Sequence, residues 1–163
     1  GNPFIIQADG TIRDIICDKS KRQTMTLYRK YPFFAQFASF KNRMDLGEFQ
    51  GSNTKNFSKS TTLFTHKGFT YGCWYEQKIE TSGERYRYLR YIGPKGSYCN
   101  VNEIAFFNSH GKKLTGKIIG TEGTEKQGKE TVFDGDVLTD FNGTGPDGNW
   151  VGLELSEPSH TQS

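Results

Sequence analysis

The sequence predicts an all-β domain folded as a β-sandwich. Three observations lead there. Short runs of aromatic and β-branched residues recur about every ten residues. Turn residues separate them, with 19 Gly but only 5 Pro in 163 residues. Helical spacing is confined to two short stretches. The length suits one ordinary domain with a single core.

The elements follow in chain order. Phe4-Ile5-Ile6 is an apolar run that ends at an Asp9-Gly10 turn. Ile12, Ile15 and Ile16 have helical spacing over too short a run to decide. Thr24-Met25-Thr26-Leu27-Tyr28-Arg29-Lys30-Tyr31 alternates as a strand and stops before Pro32. Phe33, Phe34, Phe37, Phe40 and Met44 fit one or two amphipathic turns facing the core. Gly47 to Ser52 reads as a short strand closed by a Gly51-Ser52-Asn53 turn. Thr61-Thr62-Leu63-Phe64-Thr65 is a strand, and residues 69–79 are aromatic and β-prone.

Residues 85–107 read as strand, turn, strand. Residues 85–92 are rich in Tyr and suit a half-buried pleated surface. Gly93-Pro94-Lys95-Gly96 is a turn. Residues 101–107 return as a second strand, with Val101, Glu103, Ala105 and Phe107 on one face. Glu103 is then a carboxylate among apolar neighbours, so it must be solvated, paired or metal-bound. Residues 113–119 are a strand candidate and 120–130 an exposed Gly-rich loop. Residues 134–140 form an acidic loop. Trp150-Val151-Gly152-Leu153-Glu154-Leu155 alternates as the last strand, and residues 158–163 read as a frayed tail.

Composition narrows the function. A net charge of +3 with interspersed signs gives no nucleic-acid footprint. No apolar stretch is long enough to span a bilayer, so no transmembrane segment is expected. The chain opens Gly1-Asn2-Pro3 without Met, which reads as a processed or recombinant fragment. Cys17, Cys73 and Cys99 form no C-x-x-C pair and are read as small buried residues. His66, His110 and His160 have no metal-ligand spacing, and no nucleophile elbow or phosphate loop is present. The chain is therefore read as non-enzymatic.

Two groups of residues could bind something. Asp134-Gly135-Asp136, with Thr139 three residues on, supplies hard oxygen ligands around a tight turn and suits calcium; the alternative is a solvated Asp-Gly turn. Tyr71, Trp74, Tyr75, Tyr98 and Asn100 supply rings and an amide edge suited to a sugar. For Trp74 and Tyr75 the competing reading is core packing.

Several of these motifs together resemble the coagulation factor V/VIII type C, or discoidin, family. That family has the galactose-binding-like jelly-roll sandwich and is similar to family 32 carbohydrate-binding modules. Gly51-Ser52-Asn53 with Phe57, Arg87-Tyr88-Leu89-Arg90 and Glu103-Ile104 resemble the family's second half, over residues 47–108. Asp134-Gly135-Asp136 with Thr139, and Trp150 to Leu155, resemble its first half, over residues 111–157. The wording is closest to copies in secreted or surface proteins of gut anaerobes.

The two halves stand in reversed order here. Either the sandwich is circularly permuted, as a single domain over 1–157, or the chain is cut across tandem modules. A permuted domain is favoured, because a lone half-sandwich exposes a sheet face and its edges. Residues 1–46 match less well. The resemblance implies a calcium held by the side chains of Asp134, Asp136, Thr139 and Glu103 and by carbonyls of Thr131 and Asn102. It also implies a carbohydrate-binding or adhesion module within a larger bacterial secreted or surface protein. The alternatives are a structural or protein-interaction module, or an accessory domain of a glycan-processing enzyme.

Overall fold

The computed structural model describes residues 4–15, 43–68, 74–79 and 83–159. The strand expected at residues 24–31, most of the 33–44 stretch, Cys17, Tyr71, Cys73 and His160 lie outside these residues. The described residues form an all-β structure with two antiparallel sheets. The chain divides into two compact units, Gly1–Phe33 and Phe34–Ser163.

In the first unit β1 (Phe4–Ile6) pairs antiparallel with β2 (Ile12–Asp14). The turn is the expected one. Asp9 accepts the Thr11 N–H at 2.9 Å and the Thr11 hydroxyl at 2.7 Å. These bonds, the hydroxyl's first, hold the Asp9 carboxyl below its ordinary value. Ile12 begins a strand despite its helical spacing, because the Asp9-Gly10 turn returns the chain against β1.

The second unit holds a five-stranded sheet ordered β4-β3-β5-β7-β6. Its strands are β3 (Glu48–Ser52), β4 (Ser60–Thr65), β5 (Tyr86–Ile92), β6 (Gly116–Gly120) and β7 (Trp150–Ser159). Every neighbouring pair is antiparallel. β7 continues to Ser159, so the first two residues of the expected tail belong to the sheet.

Cross-strand register explains the core. Phe49, Tyr91 and Val151 lie in one row across β3, β5 and β7, and Gly51, Leu89, Leu153 and Ile118 lie in the next. Cross-strand partners share a face. That face packs against Cys99, Val101, Ile104, Phe106, Val132 and Phe141 from the connecting segments. Leu89 and Tyr91 are wholly buried, and each such side chain stabilises the fold by about 1.5–3 kcal/mol. Cys99 is a free thiol, pushed up to about 12 by burial.

The other face carries a polar row. Arg90 donates from Nε and Nη2 to Gln50 Oε1 at 2.9 and 2.7 Å. Gln50 donates to Glu48, which also accepts from Thr62. The Arg90 guanidinium lies 4.1 Å from the Phe57 ring centre and 5.3 Å from that of Trp150. This cation–π clamp explains both ends of the Tyr88-Leu89-Arg90 run: Leu89 faces the core while Arg90 staples Phe57 to the outer surface.

Residues 101–107 correct the expected hairpin. They form no strand; only isolated bridges join Val101 to Phe141 and Phe107 to Lys113. Both edges of β5 are already taken by β3 and β7, so no edge remains for a returning strand. The chain leaves the sheet after Ile92, and Cys99, at φ 57°, lies in the irregular segment that follows. The freed backbone groups bond elsewhere, Ile104 N–H to Val132 O at 2.9 Å and Leu114 N–H to Phe106 O at 2.7 Å. Val101, Ile104 and Phe106 are buried, which is not the strict alternation a strand would give.

Candidate functional site

The antiparallel register gathers five chain segments at one end of the sheet. Glu48 pairs with Thr65 and Ile92, Ile92 with Trp150, and Gly120 with Val151. Residues 43–47, 66–68, 93–100 and 143–149 leave the sheet there, as does the segment after Gly120.

These segments, and residues 74–79 packed against them through Tyr75, carry exposed apolar side chains. Trp74 is 63% exposed, Tyr75 53% and Tyr98 44%. The core-filling alternative for Trp74 and Tyr75 is thus not what the chain adopts. Residues 74–79 form no regular strand. Tyr75 is held from behind by stacking on Phe64, at 6.2 Å and 25°, and by an edge contact with His66 at 5.4 Å. His66 in turn is tied to the 43–47 segment, through His66 N–H to Gly47 O and Leu46 N–H to His66 O.

Two residues at this end were not legible in the sequence. Leu46 is exposed and sits at φ 70°, a conformation that costs a non-Gly residue about 1–2 kcal/mol. Strained backbone of this kind collects at functional loops. Arg43 donates to Asn100 Oδ1 at 3.2 Å, and its carbonyl accepts the Ser97 hydroxyl at 3.5 Å. Asn100 also donates to Asn142 Oδ1 at 2.8 Å. Asn100 is therefore a fixed polar edge two residues from Tyr98. Neither Leu46 nor Arg43 belongs to a local motif, and only the pairing of residues 43–47 with distant loops reveals them.

The acidic loop is built separately. Gly135, at φ 84°, allows the tight turn between the two aspartates. Asp134 Oδ1 accepts the Asp136 N–H at 2.7 Å, and Asp136 Oδ1 accepts the Leu138 N–H at 2.9 Å. The Thr139 hydroxyl lies 3.0 Å from Asp134 Oδ2, 2.9 Å from Asp136 O and 3.3 Å from Thr131 O. Asn102 Nδ2 donates to Val137 O at 3.1 Å.

Glu103 meets this loop across 32 residues of chain, where its Oε2 accepts the Gly135 N–H at 3.3 Å. Its Oε1 is buried without a hydrogen-bond partner. Burial pushes the Glu103 carboxyl up. The Gly135 bond and Lys113 oppose that shift, while the charges of Asp134 and Asp136 add to it. All six residues expected around a calcium ion thus belong to one local network. Among the described residues no three carboxylate, thiol or imidazole groups converge as a metal cluster; backbone N–H groups engage the carboxylate oxygens instead.

No protein-family model, curated protein or solved structure matches this chain.

Proposed function

We propose that this chain is a non-catalytic carbohydrate-binding module of a bacterial secreted or surface protein, folded as a jelly-roll sandwich of the galactose-binding type. One observation carries the reading: Leu46, Trp74, Tyr75 and Tyr98 are all exposed, and all lie on segments that leave the same end of the sheet or, through Tyr75, pack against it. Rings presented this way stack on the apolar faces of sugars, and a fixed amide such as Asn100 orients the hydroxyl rim. A glycan array tests it. Hits that Trp74→Ala abolishes support the reading; an array without hits overturns it in favour of a protein-interaction module.

The same reading includes a structural calcium, held by the side chains of Asp134, Asp136, Thr139 and Glu103 with carbonyls of Thr131 and Asn102. The support is the buried Glu103 Oε1, which has no hydrogen-bond partner and feels the charges of Asp134 and Asp136. A hard dication supplies the missing countercharge. The test is thermal melting in calcium and in EDTA. Calcium should raise the Tm of the wild type and leave that of Glu103→Gln unchanged; equal wild-type values in both buffers would sink the proposal.

The pH dependence has a definite sign. The Glu103 carboxyl is raised above its ordinary 4.5. Without the ion its contribution to stability is therefore fully present below pH 4.5. It is lost as pH climbs through the raised value, because the folded state then holds a disfavoured charge. In EDTA, Glu103→Gln should remove that decline. In calcium the wild type should hold its stability over the same window.

A further inference from the structure

β5 lays a tyrosine across a glycine at each end of β3. A Cβ on Gly51 would fall 2.6 Å from Tyr86 Cγ, and one on Gly47 would run into the Tyr91 hydroxyl. At the Gly51 end the polar groups are provided for. A groove of about 460 Å³ opens there, lined by Ser52, Asn53, Lys59, Thr61, Glu84 and Tyr86 among others. The Tyr86 hydroxyl donates to Glu84. Ser52, buried, donates to Lys59 O and accepts the Thr54 N–H. Asn53 ties the other wall, its Nδ2 donating to Arg85 O and its Oδ1 accepting the Arg87 N–H.

At the Gly47 end the tyrosine is left wanting. Tyr91 is wholly buried, and its hydroxyl has no hydrogen-bond partner. That group has lost its water and gained nothing in return, which disfavours the arrangement. Gly47 lies directly against it. The next residue back adds a second cost, because Leu46 sits at φ 70°. Both costs vanish if residues 43–47 lift: Tyr91 then meets water, and Leu46 can leave the left-handed region.

Little opposes that movement. Leu46 is exposed, and Met44 is only partly buried against the core. The Gly47 N–H bonds Met44 O at 2.8 Å inside the segment, so the turn can move as one piece. Its ties to the loop beside it include Leu46 N–H to His66 O at 2.8 Å, His66 N–H to Gly47 O at 2.9 Å and Gly68 N–H to Asp45 Oδ1 at 2.9 Å. Those bonds are exchanged for bonds to water on lifting, whereas the Tyr91 hydroxyl gains one it lacks.

We propose that residues 43–47 form a strap over Tyr91 that opens locally while the sheet stays folded. Closed, the strap presents Leu46 and ties Asn100 through Arg43. Open, it withdraws both and uncovers the Tyr91 hydroxyl. A ligand that touches Leu46 therefore favours the closed strap. That last consequence rests on the aromatic end being a binding site; the opening does not.

Amide hydrogen exchange of the unliganded ¹⁵N-labelled chain tests this. Corrected for intrinsic rates, the Leu46 and His66 amides should exchange about a hundredfold faster than that of buried Phe141, which bonds Val101 O at 2.8 Å. Tyr91→Phe keeps the ring against Phe49 and removes the unpartnered hydroxyl, so it should slow both strap amides about tenfold. Leu46→Gly should slow the His66 amide about threefold. The proposal fails if the two amides exchange no faster than Phe141 in the wild type. It also fails if Tyr91→Phe leaves their exchange unchanged or makes it faster. A glycan array without hits would overturn the aromatic-end reading alone and leave these rates as they are.

Discussion

The two ends of the five-stranded sheet solve opposite problems with similar residues. At the groove end the polar side chains bond inward. Ser52, Asn53 and Thr54 tie a loop to strand backbone, and the aromatic Tyr86 is buried over Gly51. At the other end the rings face out. Trp74, Tyr75 and Tyr98 remain exposed, with Leu46 and Cys99 held at positive φ. A Tyr is thus core at one end of β5 and surface just past the other. Chemistry of the side chain does not decide this; the backbone path does. Tyr86 has a glycine opposite to lie on, whereas Tyr98 follows a turn that sends Cys99 into the core instead.

Substitutions at the two ends should separate stability from binding. The largest effect is expected at Ser52. Ser52→Ala removes a buried hydroxyl that bonds both the Lys59 carbonyl and the Thr54 N–H, and the loss of two hydrogen bonds should destabilise by about 1–3 kcal/mol in denaturant unfolding. A loss below the error of the extrapolation would mean that water replaces the hydroxyl and that the groove end is looser than described.

A smaller change of opposite sign is expected at Leu46. Leu46→Gly relieves a left-handed residue and should stabilise by about 0.5–1 kcal/mol after the entropy cost of glycine. If the exposed leucine belongs to the ligand surface, the same variant binds the glycan more weakly. A variant that gains stability and binds as before would remove Leu46 from the site and attribute its strain to loop closure alone. Trp74→Ala should have the smallest effect on stability, within about 0.5 kcal/mol, because the ring is mostly in water. Its effect belongs to the glycan array. A large destabilisation would show Trp74 acting as packing after all.

The comparison also shows how far the sequence could be read. β3, β4, β5 and β7 were legible within a residue or so at their starts, because alternation and Tyr-, Thr- and Val-rich runs leave a clear signal. Residues 113–119 were shifted from the observed Gly116–Gly120, since a short edge strand with glycine at both ends alternates too little to fix its bounds. The 101–107 strand was misread, and no local signal could have prevented it. That segment has strand-like composition but no free edge to join. The acidic loop was visible as a motif, and Glu103 was visible as an awkward carboxylate. That they meet depends on the Gly135 N–H and the Val132 carbonyl reaching across from a distant segment.

By itself the sequence determined the all-β class, the placement of most sheet strands and the identity of the polar and aromatic residues that could bind a ligand. Periodicity and turn chemistry are local properties, so one chain suffices to read them. The tertiary structure alone decided which Tyr and Trp face water and which strand edges were already filled. It also decided which distant loops share an end of the sheet and that Gly51, Ser52 and Asn53 build a groove. Each of those depends on register between strands tens of residues apart, and register is set by packing the whole core at once rather than by any stretch within it.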